Sequence, residues 1–179
     1  MRTFLFLLVL SLFISCERAR EKEVVQINAS IDSVNKYLEN GTIDSARTQK
    51  TEESINRFVQ FYSKDSLASK YLFQLAVIYE KQRSFAKSLT TLEQVYQKYP
   101  SSKEAPNAVF LQGFLYANVL NNLNKAKEKY QLYLSKYSNI NPKVTRDVQL
   151  EIQNLGKTPD EILKEIQEKS KQDSTVRPV

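Results

Sequence analysis

The chain has 179 residues and a formal net charge of +6, with 41% hydrophobic and 26% charged residues, which fits one globular domain with a real core and excludes wholesale disorder. Only three Gly and five Pro interrupt it, which favours helices; the absence of His and the single Cys remove the commonest general base and any Cys/His zinc cluster. The acidic and basic residues are interspersed without a long basic run, so the charge reads as solvated helix faces and no nucleic-acid partner is expected.

In chain order, Met1-Arg2-Thr3 is a short basic start, followed by the apolar run Phe4 to Ile14 and then Ser15-Cys16. The run is too short for a spanning helix, which needs about 20 apolar residues, and fits the apolar region of a signal peptide over residues 1–15. A small residue followed at once by Cys after such a run resembles the bacterial lipobox, here with Phe13 where Leu is usual. The resemblance implies lipidation of Cys16 and a membrane-surface anchor; an ordinary secretory peptide with an incidental Cys is the alternative. Glu17 is not the Asp that marks inner-membrane retention in some bacteria, so the expected location is the outer membrane, facing the periplasm.

Residues 16–23 are charged without an apolar period and are expected to act as a tether. Val24, Ile27, Ile31, Val34 and Leu38 then recur at steps of three and four, predicting an amphipathic helix closed by Gly41 as its left-handed cap. Asp44 caps a second helix whose buried face is Ile55, Phe58, Val59 and Tyr62. Helices from Ser66 to Lys81 and, capped by Ser84, from Phe85 to Tyr99 follow. Ser101 and Glu104 have capping-box spacing for a helix ending near Asn118. Asn122 or Asn124 opens a helix through Tyr137, and Asn141-Pro142 starts one that closes at Leu155-Gly156. Thr158 and Glu161 form a second capping box for a short amphipathic helix on Ile162, Leu163 and Ile166, leaving a disordered tail at 170–179.

The same unit is written twice. Ala68/Ala105, Phe73/Phe110, Ala76/Gly113 and Tyr79/Tyr116 coincide at an offset of 37. Ser88/Ala126, Leu92/Tyr130, Val95/Tyr133 and Tyr99/Tyr137 coincide at 38, placing one extra residue in the turn around Asn121 to Leu123. Shifted by 37, Ile55 and Phe58 fall on Leu92 and Val95, so residues before Ser63 form a degenerate first copy. A period in the thirties signals stacked helical hairpins.

These positions resemble two tetratricopeptide repeats, at 69–100 and 106–138. The family's small, Tyr, small, aromatic-or-aliphatic and Pro positions match Ala76, Tyr79, Ser88, Leu92 and Pro100 in the first copy, and all but the Pro match Gly113, Tyr116, Ala126 and Tyr130 in the second. Ser138 stands where Pro is usual, and Leu72 and Val109 where an aromatic is usual. The resemblance implies an all-α, right-handed solenoid of about three hairpins plus C-terminal capping helices, filling 24–169 as one domain. Small residues would let paired helices approach closely, with Tyr79, Leu92, Tyr116 and Tyr130 filling grooves between successive hairpins.

With the lipobox, the chain is similar to tetratricopeptide lipoproteins of Gram-negative bacteria, whose best-described member is the lipoprotein subunit of the outer-membrane barrel-assembly machinery. That similarity implies a non-catalytic scaffold binding envelope proteins or a peptide, with no cofactor and no metal; a lipoprotein presenting a peptide- or glycan-binding groove in uptake or wall maintenance is the alternative. The face that would bind carries Phe73, Val77, Phe110 and Phe114, where repeats that clamp a peptide carboxylate carry Lys and Asn. It is therefore suited to an apolar or aromatic segment if open, and residues 24–38 are the candidate for covering it. The adjacent acids Glu52/Glu53 and Asp160/Glu161 point about 100° apart on a helix and sit near helix starts, where acids favour the dipole, so no catalytic residue is assigned. The many Tyr residues, at helical spacing, read as core and groove-edge fillers.

Overall fold

The computed structural model describes the backbone of residues 2–175 and the side chains of residues 17–169 and Lys171. Among the described residues there are eight helices and no strand: α1 (Arg2–Glu39), α2 (Ser45–Phe61), α3 (Ser66–Lys81), α4 (Phe85–Lys98), α5 (Ala105–Asn118), α6 (Leu123–Tyr137), α7 (Pro142–Asn154) and α8 (Pro159–Thr175). The architecture is all-α, tetratricopeptide-like and built of consecutive helix pairs. None of the described helices is long and apolar enough to cross a membrane.

Local chemistry sets most helix ends. The Asp44 carboxylate accepts from the Arg47 amide at 2.9 Å, Asn122 from Lys125 at 3.1 Å, and Asn141 from Lys143 and Val144 at 3.1 and 3.3 Å. Gly41 takes φ +72°, and the Thr42 amide returns to the Tyr37 carbonyl at 2.9 Å, closing α1 as expected. Thr158 and Glu161 complete their box: the Thr158 amide donates to the Glu161 carboxylate at 2.8 Å and the Glu161 amide to the Thr158 hydroxyl at 3.3 Å. The Thr158 amide, and after it the Thr158 hydroxyl, hold the Glu161 carboxyl below its ordinary value.

Two expected caps do not form. Ser84 sits at the N-cap of α4 without a side-chain capping bond. At α5 the Ala105 amide is met by Ser102, at 3.2 Å, because the Glu104 carboxylate instead accepts the Ser69 hydroxyl at 2.7 Å, a partner no local pattern announces.

The extra residue of the second copy lies where the offset put it. Residues 82–84 join α3 to α4, whereas 119–122 join α5 to α6. In both turns the residue before the N-cap is left-handed, Arg83 at φ 59° and Asn121 at φ 48°. In both, the N-cap amide donates to the carbonyl of the repeat's Tyr at 2.8 Å, Ser84 to Tyr79 and Asn122 to Tyr116.

The helices fall into two compact units, Met1–Ala105 and Pro106–Val179. In the first, α1 packs against α2 and α3, and α3 against α2 and α4. Its core is built from Ile27, Ile31 and Val34 of α1, Ile55 and Phe58 of α2, Leu72, Leu75, Ala76 and Ile78 of α3, and Leu92 and Val95 of α4. The superposition of Ile55/Phe58 on Leu92/Val95 is thus structural, since all four are fully buried. In the second unit α6 packs on α7, and Tyr130, Tyr133, Tyr137 and Val148 are buried.

Three expectations about the ends change. The segment 16–23, expected as a tether, is helical and continuous with 24–38 in α1; its Glu, Arg, Ala and Lys are good helix formers without an apolar stripe. The Cys16 side chain lies outside the described residues. At the other end α8 runs to Thr175, into the stretch expected to be disordered, while 176–179 lie outside the described residues. Of the expected α8 stripe Ile162 is half-buried, whereas Leu163 and Ile166 are exposed.

Candidate partner-binding face

The first unit shows how each copy is held together. Ala76 and Ser88 meet at the crossing of α3 and α4, where the Ser88 hydroxyl donates to the Ala76 carbonyl at 2.9 Å and both residues have no exposed surface. Close approach needs small side chains here, because any larger group would hold the axes apart. Tyr79 lies between hairpins, as the repeat register required. It is buried, Lys87 of α4 stands over its ring at 5.0 Å, and Lys87 pairs with Glu52 of α2 at 3.3 Å. Burial, with Glu52 adding to it, pushes the Tyr79 phenol well above its ordinary range.

The second unit solves the same problem differently. Tyr130 lies on Gly113 of its own pair and reaches toward the next helix; a Cβ at Gly113 would stand 2.5 Å from its Cε1 atom. The Phe110 ring is 6.1 Å away, and the Tyr130 phenol donates to Glu151 of α7 at 3.3 Å. Burial first, then the nearby Glu151 carboxylate, pushes this phenol up as well. The bulk that α3 and α4 place at Leu92 is here a phenol ring, and Gly113 makes the room that Ala76 need not.

Against that scaffold, the four candidate binding residues occupy two places. Phe73 and Val77 are four apart on α3 in the first unit and both are half-buried. Phe110 and Phe114 are four apart on α5 in the second unit, the former half-buried and the latter 38% exposed. Each helix therefore keeps one incompletely buried apolar stripe after its core face is satisfied. In the apolar stripe of 24–38, Ile27, Ile31 and Val34 are buried where α1 packs on α2 and α3, and the Ser30 and Thr51 hydroxyls meet at 2.5 Å in that hairpin.

The acids weighed for catalysis have structural partners: Glu52 pairs with Lys87, and Glu161 caps α8. Among the described residues no cluster of His, Cys, Asp or Glu could hold a metal ion.

One feature escaped sequence reasoning. A cleft of about 700 Å³ in the first unit is bounded by the α2–α3 turn, the start of α3 and the α4–α5 connection, with Lys64, Lys70, Lys98 and Lys103 on its walls. These lysines are scattered between residues 64 and 103, so no local charge run signals them; only the helix-pair period, which brings alternate turns to one end, could have.

Neither a curated protein nor a solved structure matches the chain. The tetratricopeptide repeat family matches residues 70–102 and 107–139, so the pairs α3 with α4 and α5 with α6 are each similar to a tetratricopeptide repeat.

Proposed function

We propose that the protein is a lipid-anchored, non-catalytic scaffold of the bacterial envelope that binds protein partners through its repeats, in the assembly of outer-membrane proteins. Tetratricopeptide repeats are in general protein-interaction modules rather than catalytic ones. The observation that carries the reading is the pair of repeats with their incompletely buried stripes, Phe73/Val77 and Phe110/Phe114. A helix face left apolar after the core is filled suits an apolar or aromatic segment of a partner, whose burial drives association. The Ser15-Cys16 pair after the apolar run supports the anchor. Several acyl chains, each CH₂ worth about 0.8 kcal/mol when buried, hold a protein stably at a membrane surface.

The test is crosslinking and co-purification from membranes. A stoichiometric protein complex is expected from the wild type, and Phe73→Ala and Phe114→Ala are expected to lose it while melting unchanged. Recovery of the protein alone, or an undiminished complex from both variants, would refute the partner-binding face. Fractionation tests the anchor separately: Cys16→Ala should release the protein from membranes, and persistent association would count against lipidation.

A further inference from the structure

The lysine cleft lies at one end of the first unit, and that end is also the one toward which α1 carries Cys16. The Arg20 guanidinium of α1 meets the Asp65 carboxylate, the N-cap of α3, at 2.5 Å, and Glu23 meets Arg57 at 3.4 Å. These contacts set α1 in register with the start of α3, where the cleft opens. Cys16 is four residues further along α1, so its backbone stands about 6 Å beyond that level at 1.5 Å per residue. The segment between the anchor position and the folded unit is therefore a pinned helix rather than a free tether.

Charge at this end is unbalanced. Lys64, Lys70, Lys98 and Lys103 are all exposed, and among the described residues no ion pair occupies them, whereas the cleft holds two carboxylates. Of these, Asp65 is neutralised by Arg20, and Glu104 accepts the Ser69 hydroxyl. On α1 the exposed Glu17 and Glu21 are matched by Arg18 and Lys22. The uncompensated charge is the lysine set.

We infer that this lysine-lined end is a membrane-facing surface whose ligand is the phosphate of anionic lipid headgroups in the membrane that holds Cys16, so that the anchor and the lysines together fix how the scaffold stands on the bilayer. The inference rests on the lipid-anchor reading. Near an anionic surface each lysine multiplies the bound population about fivefold, within a screening length. Acyl chains supply attachment; the charged end supplies orientation, which a single flexible attachment point does not.

The test uses the full acylated protein, its acyl mass confirmed by mass spectrometry, in phosphatidylcholine vesicles with and without phosphatidylglycerol. A water-soluble amine reagent reads the exposure of each lysine. Lys64, Lys70, Lys98 and Lys103 are expected to label several-fold less on anionic vesicles, and to recover at about 1 M salt, where screening falls to about 3 Å. Lys36 and Lys81, near the far ends of α1 and α3, should label equally on both. The double variant K64E/K98E should stay anchored and lose the protection of Lys70 and Lys103. Equal labelling of the four lysines on both vesicle types, with the acyl mass present, overturns the orientation but leaves the anchor standing. Absence of the acyl mass overturns both. Protection on neutral vesicles by inorganic phosphate alone assigns the cleft to a soluble anion and also overturns the membrane-facing assignment.

Discussion

Replacing Gly113 with Ala sets two effects of opposite sign against each other. Ala is a better interior helix residue than Gly by about 1 kcal/mol, and Gly113 lies within α5, so on helix preference alone the variant gains stability. The added Cβ, however, would stand 2.5 and 2.6 Å from two carbons of the Tyr130 ring, where carbon pairs are at ease near 3.5–4.0 Å. The ring would have to retreat by about 1 Å to reach that separation. It has little freedom to do so, being fully buried, tilted against the Phe110 ring and held through its phenol to Glu151. Overpacking of this kind costs about 1–3 kcal/mol, so the net expectation is a loss of about 1 kcal/mol, read by urea unfolding followed by circular dichroism. In the Tyr130→Leu background the same substitution should lose its penalty, giving a favourable coupling in the double-mutant cycle. If Gly113→Ala is as stable as the parent or more so, the ring moves freely, and the packing assigned to α5 and α6 is wrong.

Three further outcomes are expected. Ala76→Leu forces a branched side chain into the α3–α4 crossing sealed by the Ser88 hydroxyl; a loss of about 1–3 kcal/mol is expected, and an unchanged melting temperature would contradict the crossing. Arg83 holds a left-handed φ of 59°, so Arg83→Gly should stabilise by a few tenths to about 1 kcal/mol after the entropy of the freer unfolded chain is subtracted, which urea midpoints resolve. The Arg20 hydrogen bond holds the folded Asp65 carboxyl below the ordinary 3.8. Its stabilisation is therefore present above that value and lost as pH falls through the folded value. The stability advantage of the wild type over Asp65→Asn, up to about 1 kcal/mol at neutral pH, should accordingly close below pH 3.8, and an advantage that persists there would rule out the ion pair as its source.

What the sequence showed, and what it did not, divides by range. Caps at Asp44, Asn122, Asn141 and Thr158/Glu161 were legible because a short polar side chain and an orphan amide two or three residues on are sufficient for the bond. The Ala76/Ser88 crossing and the burial of Ile55 and Phe58 were legible because a repeat carries its neighbours' register with it. The Ser101/Glu104 box failed for the converse reason. Glu104 has the right spacing, but Ser69 competes for it from 35 positions away, and a local pattern contains no information about such a competitor.

The binding face follows the same logic and sharpens it. Phe73/Phe110 were found as a repeated pair, yet repetition alone makes their surroundings equal, and they are not. In the second unit Phe110 stands beside Tyr130, which fills the space over Gly113, while the first unit has Leu92 and Ala76 at those positions. A ring beside a ring resists rearrangement more than a leucine does, so Phe110 serves the core as well as the surface, and Phe114, at 38% exposure, is the cleaner probe of a partner. The change that breaks the repeat's sequence symmetry, a glycine for an alanine and a tyrosine for a leucine, thus also separates which aromatic residues can be spared for binding from those the fold already uses.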